Sequence, residues 1–323
     1  MEIDVKEQHI ADISLDLLKI LLSDKTTKRF IRWGTDNYIG YGPEYQAEQE
    51  ICPDLITGDR STIIQPRVSK SKEEQIRRTR DKAEVFTPSW VCNEQNNLID
   101  EAWFERANVF NISGNQCWQA TTEKIVFPRD KIWKDYVDAR RMEISCGEAP
   151  YLVSRYDTVN GTLIPQSERI GLLDRKMRIV NENAVSDNEW KTWTYRSFQS
   201  CYGYDYQGDN VLLARENMFL SYIDYYKARF DHAPSLLEMK KIANIVAWNI
   251  WQMNGITMTV PYSIAQPIYK QQSLFSLSET NDEQSNADES CNEMPCLIYD
   301  WRAKKSLEFK NIVNGGNRHA NRI

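Results

Sequence analysis

Residues 141–156 have the sequence Arg141-Met-Glu-Ile-Ser-Cys-Gly-Glu-Ala-Pro-Tyr-Leu-Val-Ser-Arg-Tyr156, which predicts the central part of the fold. A strand-like segment leads into a Cys-Gly turn, and an amphipathic run follows the turn. This order is typical of a strand that passes into a helix through a tight loop, and backbone N–H groups at the start of such a helix can meet a ligand. We therefore expect a strand over residues 142–145, a ligand-binding turn and then a helix.

The length and composition indicate a globular chain without a membrane-spanning segment. Its 323 residues, 41% of them hydrophobic, can bury a sizeable core in one large domain or two smaller ones. The apolar run at residues 17–22 is too short to cross a bilayer, and the start of the chain lacks the pattern of a secretory signal. We therefore expect a cytoplasmic protein that does not insert into membranes.

The cysteine, histidine and charge counts exclude several classes of protein. The seven cysteines are scattered and odd in number, which favours reduced thiols over a disulfide framework. The three histidines are far from one another and from any close cysteine pair, so the spacing of a zinc site is absent. The net charge of -6 predicts no general affinity for nucleic acid, although a local basic face could still supply it.

The N-terminal region, residues 1–82, is expected to be partly helical and partly irregular, and it contains the most basic window of the chain. Apolar residues at positions 10, 13, 17 and 21 share one helical face and predict an amphipathic helix over 10–22. Residues 67–82 hold seven basic and three acidic side chains. Two interpretations of this basic window are open: Arg77, Arg78 and Arg80 contact DNA phosphates, or they belong to a solvated helix face.

Residues 83–270 show the alternation of strands and helices that is typical of a parallel sheet. Pro88 fits the first turn of a helix that has Thr87 as its N-cap. Further along, a short aromatic strand ends on Asp205, a strong helix covers 211–226, and a strand-like run ends near Asn254. Such sheets bind nucleotide-like ligands at the carboxyl ends of their strands, where an acid can accept hydrogen bonds from both ribose hydroxyls.

Four motifs in this region resemble those of the gamma-type N6-adenine DNA methyltransferases of type II restriction-modification systems, particularly the fused restriction-methylation enzymes. Ala83-Glu-Val-Phe-Thr-Pro88 looks like the family's Gly-x-Val-Phe-Thr-Pro motif, and Glu143-Ile-Ser-Cys-Gly-Glu-Ala-Pro-Tyr-Leu152 is similar to its Asp-Pro-Ala-Cys-Gly-Ser-Gly-Asn-Phe-Leu loop. Tyr202-Gly-Tyr-Asp205 resembles the second motif, in which the carboxylate takes the ribose. Asn249-Ile-Trp-Gln-Met-Asn-Gly255 is similar to the third, whose acid faces the adenine amino group.

The resemblance implies a Rossmann-like methyltransferase sheet that binds S-adenosylmethionine and acts on DNA. The cofactor-binding residues that it implies are Phe86, Thr87, Pro88, Glu143, Cys146, Gly147, Ala149, Asp205 and Asn254. Considered on its own, Cys146 is expected to pack as a small hydrophobe and not to act as a nucleophile, because no histidine lies near it in the sequence.

The chain departs from the family in ways that predict a second polypeptide. Ala149 replaces the second loop glycine, Glu143 lengthens an expected aspartate, and Asn254 replaces an acid. The sequence has no Pro-Pro pair, so the family's catalytic Asn/Asp-Pro-Pro-Tyr/Phe motif is absent and no catalytic residue is assigned. In the family the strand that carries this motif pairs with the first strand, so the strand at 142–145 is expected to have an open edge. We expect a partner chain to supply the motif and the remaining strands.

The C-terminal part is expected to form an acidic flexible loop over 271–295 and a β-hairpin with a polar tail over 296–323. Residues 276–292 contain five acidic and no basic side chains. Residues 297–301 and 306–313 flank a basic turn and have strand-like sequences. The predicted fold class is therefore α/β: a partial Rossmann-like methyltransferase sheet with a helical N-terminal extension and a C-terminal hairpin.

Three functions remain open at this point. The first is the cofactor-binding part of a split adenine-specific DNA methyltransferase that is inactive without its partner. The second is a catalytically inactive, methyltransferase-like subunit that binds DNA or provides specificity, for which the basic window would matter and Asp205 would not. The third is a metal-dependent nuclease, which depends on Asp81-Lys-Ala-Glu84, a pattern that is frequent by chance.

Overall fold

The computed structural model describes residues 3, 5–82, 87–263 and 293–313, without the side chains of residues 81 and 82. The α-helices are α1 (Glu7–Ile13), α2 (Leu15–Leu22), α3 (Lys72–Lys82), α4 (Ser89–Phe104), α5 (Trp133–Asp138), α6 (Leu172–Asn183), α7 (Asp187–Gln199), α8 (Gly208–Phe230) and α9 (Leu236–Asn249). The strands are β1 (Asn111–Gly114), β2 (Cys117–Ala120), β3 (Arg141–Ile144), β4 (Cys201–Asp205), β5 (Ile250–Gln252), β6 (Leu297–Asp300) and β7 (Lys305–Glu308). Within the described ranges, none of the helices combines the length and apolar character that a bilayer span requires.

A three-stranded parallel sheet organises the fold, with its strands in the order β3-β4-β5. Helices α6 and α7 connect β3 to β4, and helices α8 and α9 connect β4 to β5. Helix α8 is buried along most of its length, and it contacts α9, β4 and β5. Parallel neighbours require such crossovers, so the predicted α/β class is confirmed.

The helix predicted directly after the Cys-Gly turn is not formed. Residues 148–171 follow a largely irregular path until α6 begins. The Glu143 carboxylate accepts the N–H groups of Tyr151 and Leu152 at 3.3 and 3.2 Å. The carbonyls of Tyr151 and Leu152 accept the first two N–H groups of α6 at 2.8 and 2.9 Å. The prediction is wrong because contacts from distant residues satisfy the backbone groups that a helix would have paired locally.

The N-terminal region packs into the same hydrophobic core as the helices around the sheet. The single helix predicted there is divided into α1 and α2, because Ser14 is extended, with φ -171° and ψ 125°. As a result Ile13, expected on the buried face, is 46% exposed. The carbonyl of Trp33 accepts the N–H of Gly208, the first residue of α8, at 2.8 Å. Buried residues of both regions therefore belong to one hydrophobic cluster.

The predicted C-terminal hairpin is confirmed. Strands β6 and β7 pair in antiparallel fashion, and the hairpin packs on one face of β4 and β5. Ile298 and Phe309 join Tyr202, Tyr204 and Trp251 in a second, smaller hydrophobic cluster. Most of the acidic loop expected at 271–295, up to residue 292, and the polar tail from residue 314 lie outside the described residues.

Candidate functional site

The carboxyl ends of the three parallel strands meet at one edge of the sheet. Cys146, just after β3, donates its N–H to the Tyr204 carbonyl at 2.8 Å, and Met253, just after β5, donates its N–H to the Asp205 carbonyl at 2.9 Å. The predicted motifs around Cys146, Asp205 and Asn254 are thereby brought together. Ligands of open parallel sheets bind at this edge.

Asp205 joins the turn after β3 to the end of β4. The residue is 8% exposed, and its Oδ2 accepts the Gly147 N–H at 2.9 Å while its Oδ1 accepts the Gln207 N–H at 3.0 Å. Gly203 makes this close approach possible, because a Cβ at that position would lie 3.2 Å from the Cβ of Cys146. A carboxylate offers about four acceptor positions, so a residue of this type can bind a hydroxyl in addition to backbone N–H groups.

The turn after β3 has a left-handed backbone at alternate positions. The φ angles of Ser145, Gly147 and Ala149 are 50°, 51° and 63°. Glycine adopts this conformation without steric cost, whereas a residue with a Cβ loses about 1–2 kcal/mol. Ala149, which stands where the resembled family has glycine, is fully buried and keeps the left-handed geometry. The substitution therefore changes the space beside the turn and not the path of the backbone.

Glu143 and Cys146 are buried on either side of this turn. Burial raises the pKa of the Glu143 carboxyl well above its ordinary range, and the nearby Asp205 carboxylate raises it further. Burial also raises the pKa of the Cys146 thiol, which is 1% exposed. Because the thiolate is the nucleophilic form, the expectation that Cys146 is a packing residue is confirmed.

Thr87 and Pro88 lie at the start of α4, close to the turn. Thr87 is not the N-cap as predicted, because Pro88 occupies that position and the Ser89 N–H donates to Asp157 Oδ2 at 2.8 Å. The Thr87 side chain instead lies against the hydroxyl of Tyr151, in the segment that follows the turn. The upstream motif therefore reaches the same neighbourhood as the turn, by a contact that its sequence did not indicate.

The side chain of Asn254 is engaged by its own backbone. Its Oδ1 accepts the N–H groups of Ile256 and Thr257 at 3.0 and 3.3 Å. This is the arrangement of an Asx turn. The oxygen that was expected to accept from an adenine amino group is therefore already hydrogen-bonded in this structure.

The basic window is divided between the interior and the surface. Arg78 is 1% exposed, and its Nη2 donates to Asp209 Oδ2 at 2.6 Å. Lys70 is also buried, with its Nζ 3.8 Å from the same oxygen. The expectation that Arg78 contacts DNA is wrong, because its guanidinium neutralises a carboxylate on the buried face of α8. Arg77 and Arg80 are exposed, so DNA contact by these two residues stays a prediction.

The outer edge of β3 is open within the described part of the chain. Strand β3 pairs with β4 alone, and Met142 and Ile144 stand opposite Tyr202 and Tyr204 on the face that the hairpin covers over β4. The hairpin does not extend over β3, since Met142 and Ile144 are 43% and 67% exposed. A cavity of about 130 Å³ lies between Met142 and Ile298 of β6. The predicted open edge is therefore present.

Sequence reasoning missed the supporting role of residues 148–171. Asp157 accepts the N–H of Ser89, 68 positions away, with one carboxylate oxygen and the N–H groups of Val159 and Asn160 with the other. The sequence Asp-Thr-Val-Asn-Gly at 157–161 does carry a turn signal, but nothing in it indicates the distant partner.

Some predicted residues are not described, and the comparisons identify no relative. Phe86 lies outside the described residues, as do Glu84 and the side chain of Asp81, on which the nuclease interpretation depended. In the part of the chain that is described, no group of three or more side chains could hold a metal ion. No protein family, curated protein or solved structure matches this chain.

Proposed function

We propose that this chain is the S-adenosylmethionine-binding part of a split, adenine-specific DNA methyltransferase of a restriction-modification system. The observation that carries the proposal is the contact of Asp205 with the Gly147 N–H, at the ends of neighbouring parallel strands. A carboxylate beside a glycine turn at this edge suits a ligand that carries ribose hydroxyls. The partners are DNA and a second polypeptide that supplies the catalytic Asn-Pro-Pro-Tyr motif.

The side chains around the edge would divide the work of holding the cofactor. Asp205 would accept the ribose hydroxyls, and Thr87 and the turn at Gly147 would lie along the methionine end. The end of β5, with Asn254, would face the adenine. When bound, the cofactor supplies an electrophilic methyl group, and the residues of this chain bind and orient it.

The open edge of β3 supports the partner chain. An edge strand with unpaired backbone groups and exposed apolar side chains is a template for a further strand. Covering Met142 and Ile144 would contribute roughly 1.5–3 kcal/mol for each side chain that becomes fully buried. A partner strand parallel to β3 would end at the same edge as the turn at Cys146. Catalytic residues that follow it would thus lie next to the cofactor-binding edge.

The test is isothermal titration of S-adenosylmethionine into the full chain and into Asp205→Ala. We expect the wild type to bind and Asp205→Ala to bind at least roughly tenfold more weakly, because hydrogen bonds to an ionised acceptor are lost. Asp205→Asn, which keeps one acceptor oxygen for the Gly147 N–H, should lie between them.

The control is Asp187→Ala, which removes an exposed aspartate at the start of α7. It should bind like the wild type, and circular dichroism should show that all variants are folded. Absence of binding by the wild type, alone and with a partner chain, would overturn the proposal. Equal binding by Asp205→Ala and the wild type would do so too.

The partner can be sought in the neighbouring reading frame. We expect it to encode an apolar strand that runs into Asn-Pro-Pro-Tyr. Co-expression of the two chains should give adenine methylation of DNA that neither chain gives alone. Methylation by the present chain alone would contradict the assignment of the catalytic motif to a partner.

A catalytically inactive, DNA-binding subunit is the second candidate. It is favoured by the Asn254 oxygen and both Asp205 oxygens, which accept backbone N–H groups of the protein itself. This candidate predicts salt-dependent DNA binding that is lost when the exposed Arg77 and Arg80 are replaced by glutamate. It also predicts no response to S-adenosylmethionine.

A further inference from the structure

A second cavity, of about 820 Å³, lies between the segment after the turn and helix α8. Its charged lining residues are Arg155, Arg169, Asp224 and Lys227, and part of its wall is apolar, with Leu163 and Ile164. None of these residues belongs to the candidate site described above. The volume lies within the range of pockets that hold small organic ligands.

The charges around this cavity are unbalanced. Arg155 Nε and Arg169 Nη2 both donate to Asp224 Oδ2, at 3.1 and 2.7 Å. One carboxylate is thus shared by two guanidinium groups, and exposed Lys227 adds a third positive charge. In a chain with a net charge of -6, this local excess of about two positive charges favours an anionic ligand.

Arg169 has donors that the described residues do not use. Its side chain is 9% exposed, and its Nε and Nη1 have no hydrogen-bond partner among the described residues. The guanidinium is held in place by Asp224 and by the ring of Tyr225, whose centroid lies 5.8 Å from Cζ. Buried charged donors without acceptors are costly, and such groups commonly mark the position of a missing ion or ligand.

We propose that this cavity binds a phosphate group, with Arg169 as its main ligand and Lys227 at its mouth. A guanidinium presents parallel N–H donors that match the oxygens of phosphate, and a phosphate carries close to two negative charges at neutral pH. The phosphate belongs either to a small phosphorylated ligand or to a DNA backbone. This inference does not rest on the proposed function, and its test requires no S-adenosylmethionine.

The test is the thermal unfolding of the full chain as inorganic phosphate replaces chloride at constant ionic strength. A ligand that binds the folded state raises the unfolding temperature in proportion to its saturation of the site. We expect such a rise in the wild type. Arg169→Gln should weaken the apparent phosphate affinity by roughly tenfold or more. Lys227→Gln should weaken it by a smaller factor.

The matched control is Arg178→Gln, which also removes one positive charge. Arg178 lines the neighbouring cavity of about 470 Å³ and not this one, and its guanidinium is hydrogen-bonded to Glu182 and Phe110. Phosphate also stabilises proteins without binding a site, so the difference between Arg169→Gln and Arg178→Gln decides the result. Each variant is compared with itself in chloride, so a change in basal stability does not affect the comparison.

The proposal is overturned if phosphate stabilises Arg169→Gln as much as Arg178→Gln. If Arg169→Gln does not fold, Lys227→Gln decides, because its side chain is exposed and its loss should not disturb the core. Fluorescence anisotropy with a short DNA duplex then separates the two sources of phosphate. A duplex that binds, and that binds less to Lys227→Gln, identifies the DNA backbone. Phosphate binding without an effect on the duplex identifies a small phosphorylated ligand.

Discussion

Buried charges on α8 decide how the N-terminal region is attached. Asp209 on this helix holds Arg78 and accepts the Tyr38 hydroxyl at 2.7 Å. One turn pair further along, Glu216 is fully buried near the side chain of Glu7, the first residue of α1. Burial raises the pKa of Glu216 well above its ordinary range, and the neighbouring Glu7 raises it further. These carboxyl groups are therefore held mostly protonated in the folded protein.

Replacing Glu7 with glutamine should flatten the pH dependence of stability. Burial raises the pKa of Glu7 from 4.5 to about 8, although the charge of Lys70 lowers it in part. Between these two values the folded state binds a proton that the unfolded state has lost, so stability falls as pH rises through this window. Each pKa unit corresponds to about 1.4 kcal/mol. From pH 5 to pH 8, the free energy of unfolding of Glu7→Gln should therefore rise by roughly 1–4 kcal/mol relative to the wild type.

Urea unfolding at several pH values measures this effect. Glu73→Gln, at an exposed position of α3, is the control and should keep the pH dependence of the wild type. Identical pH profiles for Glu7→Gln and the wild type would contradict the buried, protonated state of Glu7.

At the scale of elements, the open edge of β3 is the least protected feature of the sheet. Its neighbour β4 is buried along its whole length, whereas residues alternate between buried and exposed along β3. Natural edge strands are commonly protected by lysine, proline or a covering segment. Here the exposed positions carry methionine and isoleucine, which are suited to a partner and not to solvent.

Ile144→Lys should reduce self-association of the isolated chain. A charge on this edge opposes the addition of another strand, so the sedimentation coefficient should depend less on concentration than in the wild type. Leu237→Lys is the control, since Leu237 is 80% exposed on helix α9 and away from any strand edge. A wild type that stays monomeric at all concentrations would contradict the prediction, as would equal effects of the two substitutions.

At the scale of the molecule, the N-terminal region and the sheet are joined at the start of α8. The side chain of Gln252, at the end of β5, accepts the N–H of Arg32 and donates to its carbonyl, both at 2.8 Å. A Cβ on Gly208 would lie 1.9 Å from the same carbonyl oxygen, so only glycine fits there. The N-terminal region is thus part of the packing that supports the site, and we expect the molecule to unfold as a unit.

Gly208→Ala should destabilise the whole chain in one step. The added methyl has to displace the segment around Arg32, which should cost about 1–3 kcal/mol. Near-UV and far-UV circular dichroism should give coincident urea transitions for the wild type and the variant. Gly40→Ala is the control, because a Cβ there meets no atom within 4 Å. Separate transitions for the two signals would show that the regions unfold independently.

The amino-acid sequence by itself determined the parts of this protein that depend on local pattern. The strand that ends on Asp205, the long helix after it, the C-terminal hairpin and the α/β alternation follow from periodicities of two and 3.6 residues and from turn residues, which act over short distances. The open edge of β3 was also predicted, because the absence of a Pro-Pro motif can be established from the sequence alone.

Only the tertiary structure decided which charged and polar groups meet. It placed Arg78 in the interior against Asp209, took the capping of α4 from Thr87 and assigned it to Asp157, and replaced a helix with the segment at 148–171. Each of these outcomes depends on a partner many residues away. Whether a polar side chain is a ligand contact or a structural one is settled by burial and pairing, and neither is encoded in its neighbours along the chain.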